Sequence, residues 1–94
     1  MELSERCIQT LEKEGFIHIF EEQDAPEAIY PEHSHKEKVV IFITEGSIEV
    51  TLLDSVKVLT AGDRFNFPTN TPYSMIVGQN GCQFVIGEMH DGDF

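Results

Sequence analysis

The spacing of apolar positions changes once along the chain, near residue 15. Before that point Cys7, Ile8 and Leu11 recur at one, three and four residues, the stripe of a short amphipathic helix. Ser4 reads as its N-cap, Glu5 suits the positive end of the first turn, Lys13 falls in the last turn, and Gly15 stops it, so the predicted helix covers 3–14. After Gly15 the apolar runs are short and strand-like. Phe16–Phe20 predicts a first strand, and Pro26 and Pro31 break the chain after it. A strand over about 38–44 carries Val39-Val40-Ile41-Phe42-Ile43, with a tight turn expected at Glu45-Gly46-Ser47. Ile48, Val50 and Leu52 alternate with Glu49 and Thr51, which predicts one buried face. Asp54-Ser55 and Ala61-Gly62-Asp63 turn the chain into Val56–Leu59 and Arg64–Phe67. A loop from Pro68 to Pro72, a strand over Tyr73–Val77, a hairpin turn at Gly78-Gln79-Asn80-Gly81 and a last strand over Cys82–Met89 complete the pattern. Seven or so short strands separated by turns predict an all-β sandwich or barrel with one short N-terminal helix.

Residues 16–20 and 39–43 are apolar on both faces, whereas a strand with one wet face should alternate. Something must cover both sides. A chain of 94 residues has room for one domain and buries only about 60–65% of its unfolded surface. The expected cover is a second subunit, and the expected state a homodimer.

The net charge of −11, from 17 acidic and 6 basic residues, disfavours nucleic acid and anionic membrane surfaces as partners. No apolar stretch approaches the roughly 20 residues that span a bilayer, and Met1–Arg6 lacks a signal-peptide pattern, so a cytoplasmic location is expected. Cys7 and Cys82 are too few for a disulfide framework and read as free, buried thiols.

The strongest chemical signal is His33-Ser34-His35, just before the long apolar run. Residues two apart on a strand share a face, about 6–7 Å apart at the backbone, so two imidazoles there can grip one divalent ion. His18 reads as a core or interface histidine, and Arg64 as a surface ion pair with a nearby acid such as Asp63 or Glu45. There is no phosphate-cradling Gly-rich loop, nucleophile elbow or fixed carboxylate pair.

Two stretches carry a resemblance. Tyr30-Pro31-Glu32-His33-Ser34-His35 followed by Glu45-Gly46-Ser47 resembles the first motif of the cupins. Ala61-Gly62-Asp63-Arg64-Phe65-Asn66-Phe67-Pro68-Thr69-Asn70-Thr71-Pro72-Tyr73 resembles the second. The resemblance covers residues 16–90 and implies a small single-domain cupin over 1–94, an antiparallel jelly-roll β-barrel, commonly dimeric, holding a metal or small ligand in the barrel mouth. It also implies four protein ligands: two His and a Glu or Gln from the first motif and a His from the second. His33 and His35 match, but Val39 stands at the acidic position and Tyr73 at the last His. The expected metal residues are therefore His33, His35 and Tyr73, with Glu37, Glu88 or His90 as stand-ins for the missing donor. Tyr30, Val39, Phe67 and Met75 are expected to line the pocket. A phenolate favours hard, high-valent iron over zinc.

Two functions from different classes follow. One is a non-catalytic or sensing module that binds a small molecule and has an incomplete metal centre, or no metal at all. The other is a metal-dependent enzyme, a dioxygenase, isomerase or similar, using one Fe, Mn, Ni or Zn ion on His33, His35 and Tyr73. A scaffold without ligand is a weaker third.

Overall fold

The computed structural model describes residues 2–90; residues 1 and 91–94 lie outside the described residues. Helix α1 spans Leu3–Lys13, followed by β1 (His18–Asp24), β2 (Ile29–His33), β3 (Lys38–Leu52), β4 (Val56–Thr60), β5 (Arg64–Phe67) and β6 (Tyr73–Met89). Every strand pairing is antiparallel. The helix ends where the sequence predicts, but its N-cap is Glu2, which makes no side-chain cap bond, and Ser4 lies inside the first turn. The first strand also starts later than expected, at His18, because Phe16 is used to close the helix and packs beside it.

The two turns expected at Glu45-Gly46-Ser47 and at 78–81 do not reverse the chain. Both lie inside long strands, β3 and β6, and face each other. Gly46 pairs with Cys82 and Ile48 with Val77, so Ser47 alone stands opposite residues 78–81. Turn-prone residues bend a strand rather than end it here, because each strand has its partner at the same level and pairing resumes on both sides. Gly46 has φ +79°, and a Cβ there would sit 2.1 Å from the Gly81 carbonyl oxygen. Only glycine allows the two backbones to come this close.

The shared bend turns one sheet into two walls. Residues 38–46 of β3 and 82–89 of β6 form the first wall with β1 and β5. Residues 48–52 and 73–77 of the same strands form the second with β2 and β4. Pro31 sits inside β2, which pairs only with β6, so its missing N–H costs no ladder bond on the open edge. Between the walls lies the main core: Val39, Ile41, Ile43, Ile48, Val50 and Val77, with Phe67 and Phe84.

The two-sided run 39–43 is covered by the chain's own helix rather than by a second subunit. Cys7, Leu11 and Phe16 pack with Val40, Val85 and Met89 on the outer side of the first wall. Leu11 is fully buried there, which stabilises the docked helix by about 1.5–3 kcal/mol. Cys7 and Cys82 are both free and buried; burial pushes both thiols above the usual range, and the charge of Asp24 adds to the effect at Cys82, taking it to about 11. No helix among the described residues is long and apolar enough to cross a membrane.

Arg64 pairs with neither Asp63 nor Glu45. Its guanidinium donates to both carboxylate oxygens of Glu14 at 2.6 and 2.7 Å, while its plane lies 5.2 Å from the Phe42 ring centre. The link ties the end of α1 to β5. Asp63 instead accepts from the Thr60 amide and closes its own turn.

Candidate functional site

His33 ends β2, and His35 follows it where the chain leaves the sheet for the bend before β3. The His33 Nδ1 lies 2.7 Å from the Pro31 carbonyl oxygen. A carbonyl only accepts, so Nδ1 carries a hydrogen, and in the neutral ring the lone pair is then on Nε2. The His33 and His35 rings stand edge to face with centres 5.0 Å apart. Tyr73, at the start of β6 and 2% exposed, sits opposite His33 in the sheet. Its ring centre is 4.5 Å from His33 and 5.7 Å from His35. On its other side Tyr73 packs on Phe67 at 4.5 Å, and Phe67 on Phe65 at 4.9 Å.

These groups line a cavity of about 440 Å³ between the two walls, within the usual range for small-molecule sites. The structure brings His33, His35 and Tyr73 together on it, and Tyr30, Val39, Phe67 and Met75 line it as well. Phe20, Ile41, Phe84 and Ile86 add apolar wall, while Glu22 and Glu88 add carboxylates. Strand parity could have found these: Phe20 and Glu22 share a face of β1, and Phe84, Ile86 and Glu88 one of β6. Two hollows of similar size, about 410 and 430 Å³, hold no imidazole and are lined mostly by acidic, amide and turn residues.

The expected stand-ins separate. Glu37 lies in the bend before β3 and does not line the cavity; the strand parity that would have aimed it there is lost at the bend. His90 stacks on His18 with ring centres 4.3 Å apart and meets Glu88 Oε1 through Nε2 at 3.0 Å, outside the cavity lining. Glu88 alone of the three reaches the cavity, opposite Val39 in the sheet. Tyr30 lines the cavity while its hydroxyl donates to Asp24 Oδ2 at 2.5 Å. Burial first, and then that bond, push its pKa well up.

The fit to a metal can be tested on this geometry. With Zn–N bonds of about 2.0–2.1 Å and angles of about 90–110°, two imidazoles on one ion have ring centres about 4.5–5.2 Å apart. The observed 5.0 Å agrees. The rest of the donor set does not. Val39 is buried and has no lone pair. Burial, helped by the charge of Glu88, pushes Tyr73 up to about 12, which favours the protonated phenol over the phenolate. Among the described residues no three His, Cys, Asp or Glu side chains gather closely enough to hold an ion. Two imidazoles and a phenol fall short of the three or four ligands of a stable site.

The family model described as the cupin domain matches residues 20–86. No curated protein matches the chain in sequence. Among solved structures, an RmlC-like cupin from Shewanella frigidimarina is 24% identical with TM-score 0.67, covering 85% of this chain and 72% of its own. Oxalate decarboxylase of Bacillus subtilis, a protein with Mn(II) centres, is 24% identical with TM-score 0.72, covering 90% of this chain and 24% of its own. The polyketide cyclase RemF of Streptomyces resistomycificus is 22% identical with TM-score 0.66, covering 77% of this chain and 54% of its own. At these identities the likeness shows the fold.

Proposed function

The chain belongs to the cupin domain family, and within it we propose a small-molecule-binding or sensing member that works without a complete metal centre. One observation carries this reading: the rings of His33, His35 and Tyr73 cluster on the lining of a cavity whose walls are otherwise mainly apolar and aromatic. That arrangement suits a ligand with an apolar body and one polar group. The body displaces water from Phe67, Met75 and Ile41. The polar group is met by His33 and Tyr73, a neutral imidazole and a phenol that offer an acceptor and a donor. Neither thiol lines the cavity. Two unpaired thiols also fit the proposed reducing, cytoplasmic setting.

A second reading, a metal-dependent enzyme, is favoured by the spacing of the His33 and His35 rings and by the Mn(II) centres of the decarboxylase. In it the two imidazoles would hold the ion, and a bound divalent metal would supply Lewis-acid polarisation of the substrate. Elemental analysis of protein purified without an affinity tag separates the two. The binding reading expects no stoichiometric metal, even after soaking in iron or nickel at neutral pH. Near-stoichiometric metal that disappears in a His33→Ala, His35→Ala double variant overturns it in favour of the enzyme.

A further inference from the structure

We propose that the cavity selects organic cations, ring-bearing amines above all, and rejects organic anions of the same shape, with Glu88 as the charge anchor. The proposal rests on the binding reading above and adds the chemical class of the ligand. Its basis is the charge of the lining. Glu22 and Glu88 both line the cavity, and among the described residues no Lys or Arg does. Two of the protein's cations are demonstrably engaged elsewhere: Arg64 on Glu14, and Lys38 with its Nζ 5.6 Å from the Phe16 ring centre on the helix side of the wall. A carboxylate or phosphate entering the cavity would find no fixed positive charge beyond what the imidazoles carry, and would meet two carboxylates. An ammonium meets the reverse. It finds Glu88 and the faces of aromatic rings, which attract cations through their quadrupoles.

The sheet places these groups together. Val39 pairs with Glu88 on one side and with Phe67 on the other, so Glu88, Val39 and Phe67 form one row across the first wall. The Tyr73 ring packs at a tilt against Phe67, with ring centres 4.5 Å apart. The next row is Phe20, Ile86, Ile41 and Phe65, and Glu22 lies one row further, opposite Phe84. Glu88 and Glu22 therefore sit at the two ends of the aromatic floor, about 13 Å apart along the strand. Glu88 is the anchor because its row holds Phe67, against which Tyr73 packs. Its Oε1 also meets His90, which holds the carboxylate in place. The net charge of −11 biases the surroundings the same way, raising the local concentration of cations.

The experiment uses three probes of one shape at pH 8, above the ordinary imidazole range: benzylamine, benzyl alcohol and benzoate, each followed by amide chemical-shift titration of the whole chain. Benzylamine is expected to bind about five-fold or more tighter than benzyl alcohol, and benzoate weakest. Glu88→Gln is expected to bring the amine-to-alcohol ratio close to one, and Glu22→Gln to lower it less. Benzoate binding as tightly as benzylamine, or an unchanged ratio in Glu88→Gln, overturns the proposal while leaving the cavity reading intact. The cavity reading has its own readout: benzyl alcohol binding should vanish in Met75→Trp, which fills the space. If none of the probes shifts the cavity residues, both readings fall.

Discussion

Replacing Gly46 by alanine tests the bend that makes two walls from two strands. Two costs add. Alanine at φ +79° pays about 1–2 kcal/mol for the left-handed region. Its Cβ would also lie 2.1 Å from the Gly81 oxygen and 2.9 Å from the Gly81 carbon. Both are backbone atoms, so no rotamer change relieves the contact, and the Gly46–Cys82 pairing has to open. Losing such a buried pairing adds about 1–3 kcal/mol for unsatisfied backbone groups. The sum, about 2–5 kcal/mol, is a large share of the roughly 5–14 kcal/mol expected for a domain of this size. Gly62→Ala is the control. Gly62 has φ +95°, but a Cβ there meets nothing within 4 Å, so it carries the conformational cost alone. Thermal unfolding should fall by about 4–16 °C in Gly62→Ala and by about 8–40 °C in Gly46→Ala. The difference between the two isolates the close approach. If Gly46→Ala melts within two degrees or so of Gly62→Ala, the strands do not cross as described.

Two further outcomes follow. Hydrogen bonds from Arg64, with its charge and that of Lys38 outweighing partial burial, hold Glu14 below its ordinary 4.5. A carboxylate with a depressed folded pKa stabilises above its unfolded value and loses that contribution as the pH falls through the folded one. The pair is a third exposed, so its worth is below about 1 kcal/mol. Urea midpoints of wild type and Glu14→Gln should differ at pH 7 and converge near pH 2–3; an equal gap at both values contradicts the linkage. The homodimer expected from the sequence has a motive on the second wall, where Ile29 (70% exposed), Ile76 (49%) and Val58 (62%) lie in one outward row interrupted by Glu49. Sedimentation should give twice the 10.6 kDa chain mass, reverting to the chain mass in Ile76→Asp; a monomer at micromolar concentration in the wild type removes the dimer.

Sequence pattern located the helix, most strand segments and the residues around the His pair, because period, Pro and Gly are local signals. It misplaced what depends on partners. Gly46 and Gly81 carry turn signals, but whether a glycine reverses a strand or bends it depends on what lies across the sheet, and here each lies against the other strand. The two-sided run 39–43 showed that a cover exists but not which; Leu11, thirty residues away, supplies it. Sequence points Arg64 to Asp63 or Glu45, whereas its partner Glu14 is 50 residues away and is brought to it only by the docking of α1. Glu37 and Glu88 looked equivalent as donors, and only the bend after His35 tells them apart.

The docking of α1 on the outer side of Val40 bears on how the chain is made. Residues 39–43 leave the ribosome before β5, their partner on one side, and well before residues 84–88 of β6, their partner on the other, so this apolar run first waits with no strand to join and then with one edge still open. The helix has already emerged, and its apolar stripe fits one side of the waiting run. It is placed to act as a built-in escort, limiting clumping of the half-made chain until the last strand arrives to seal the barrel.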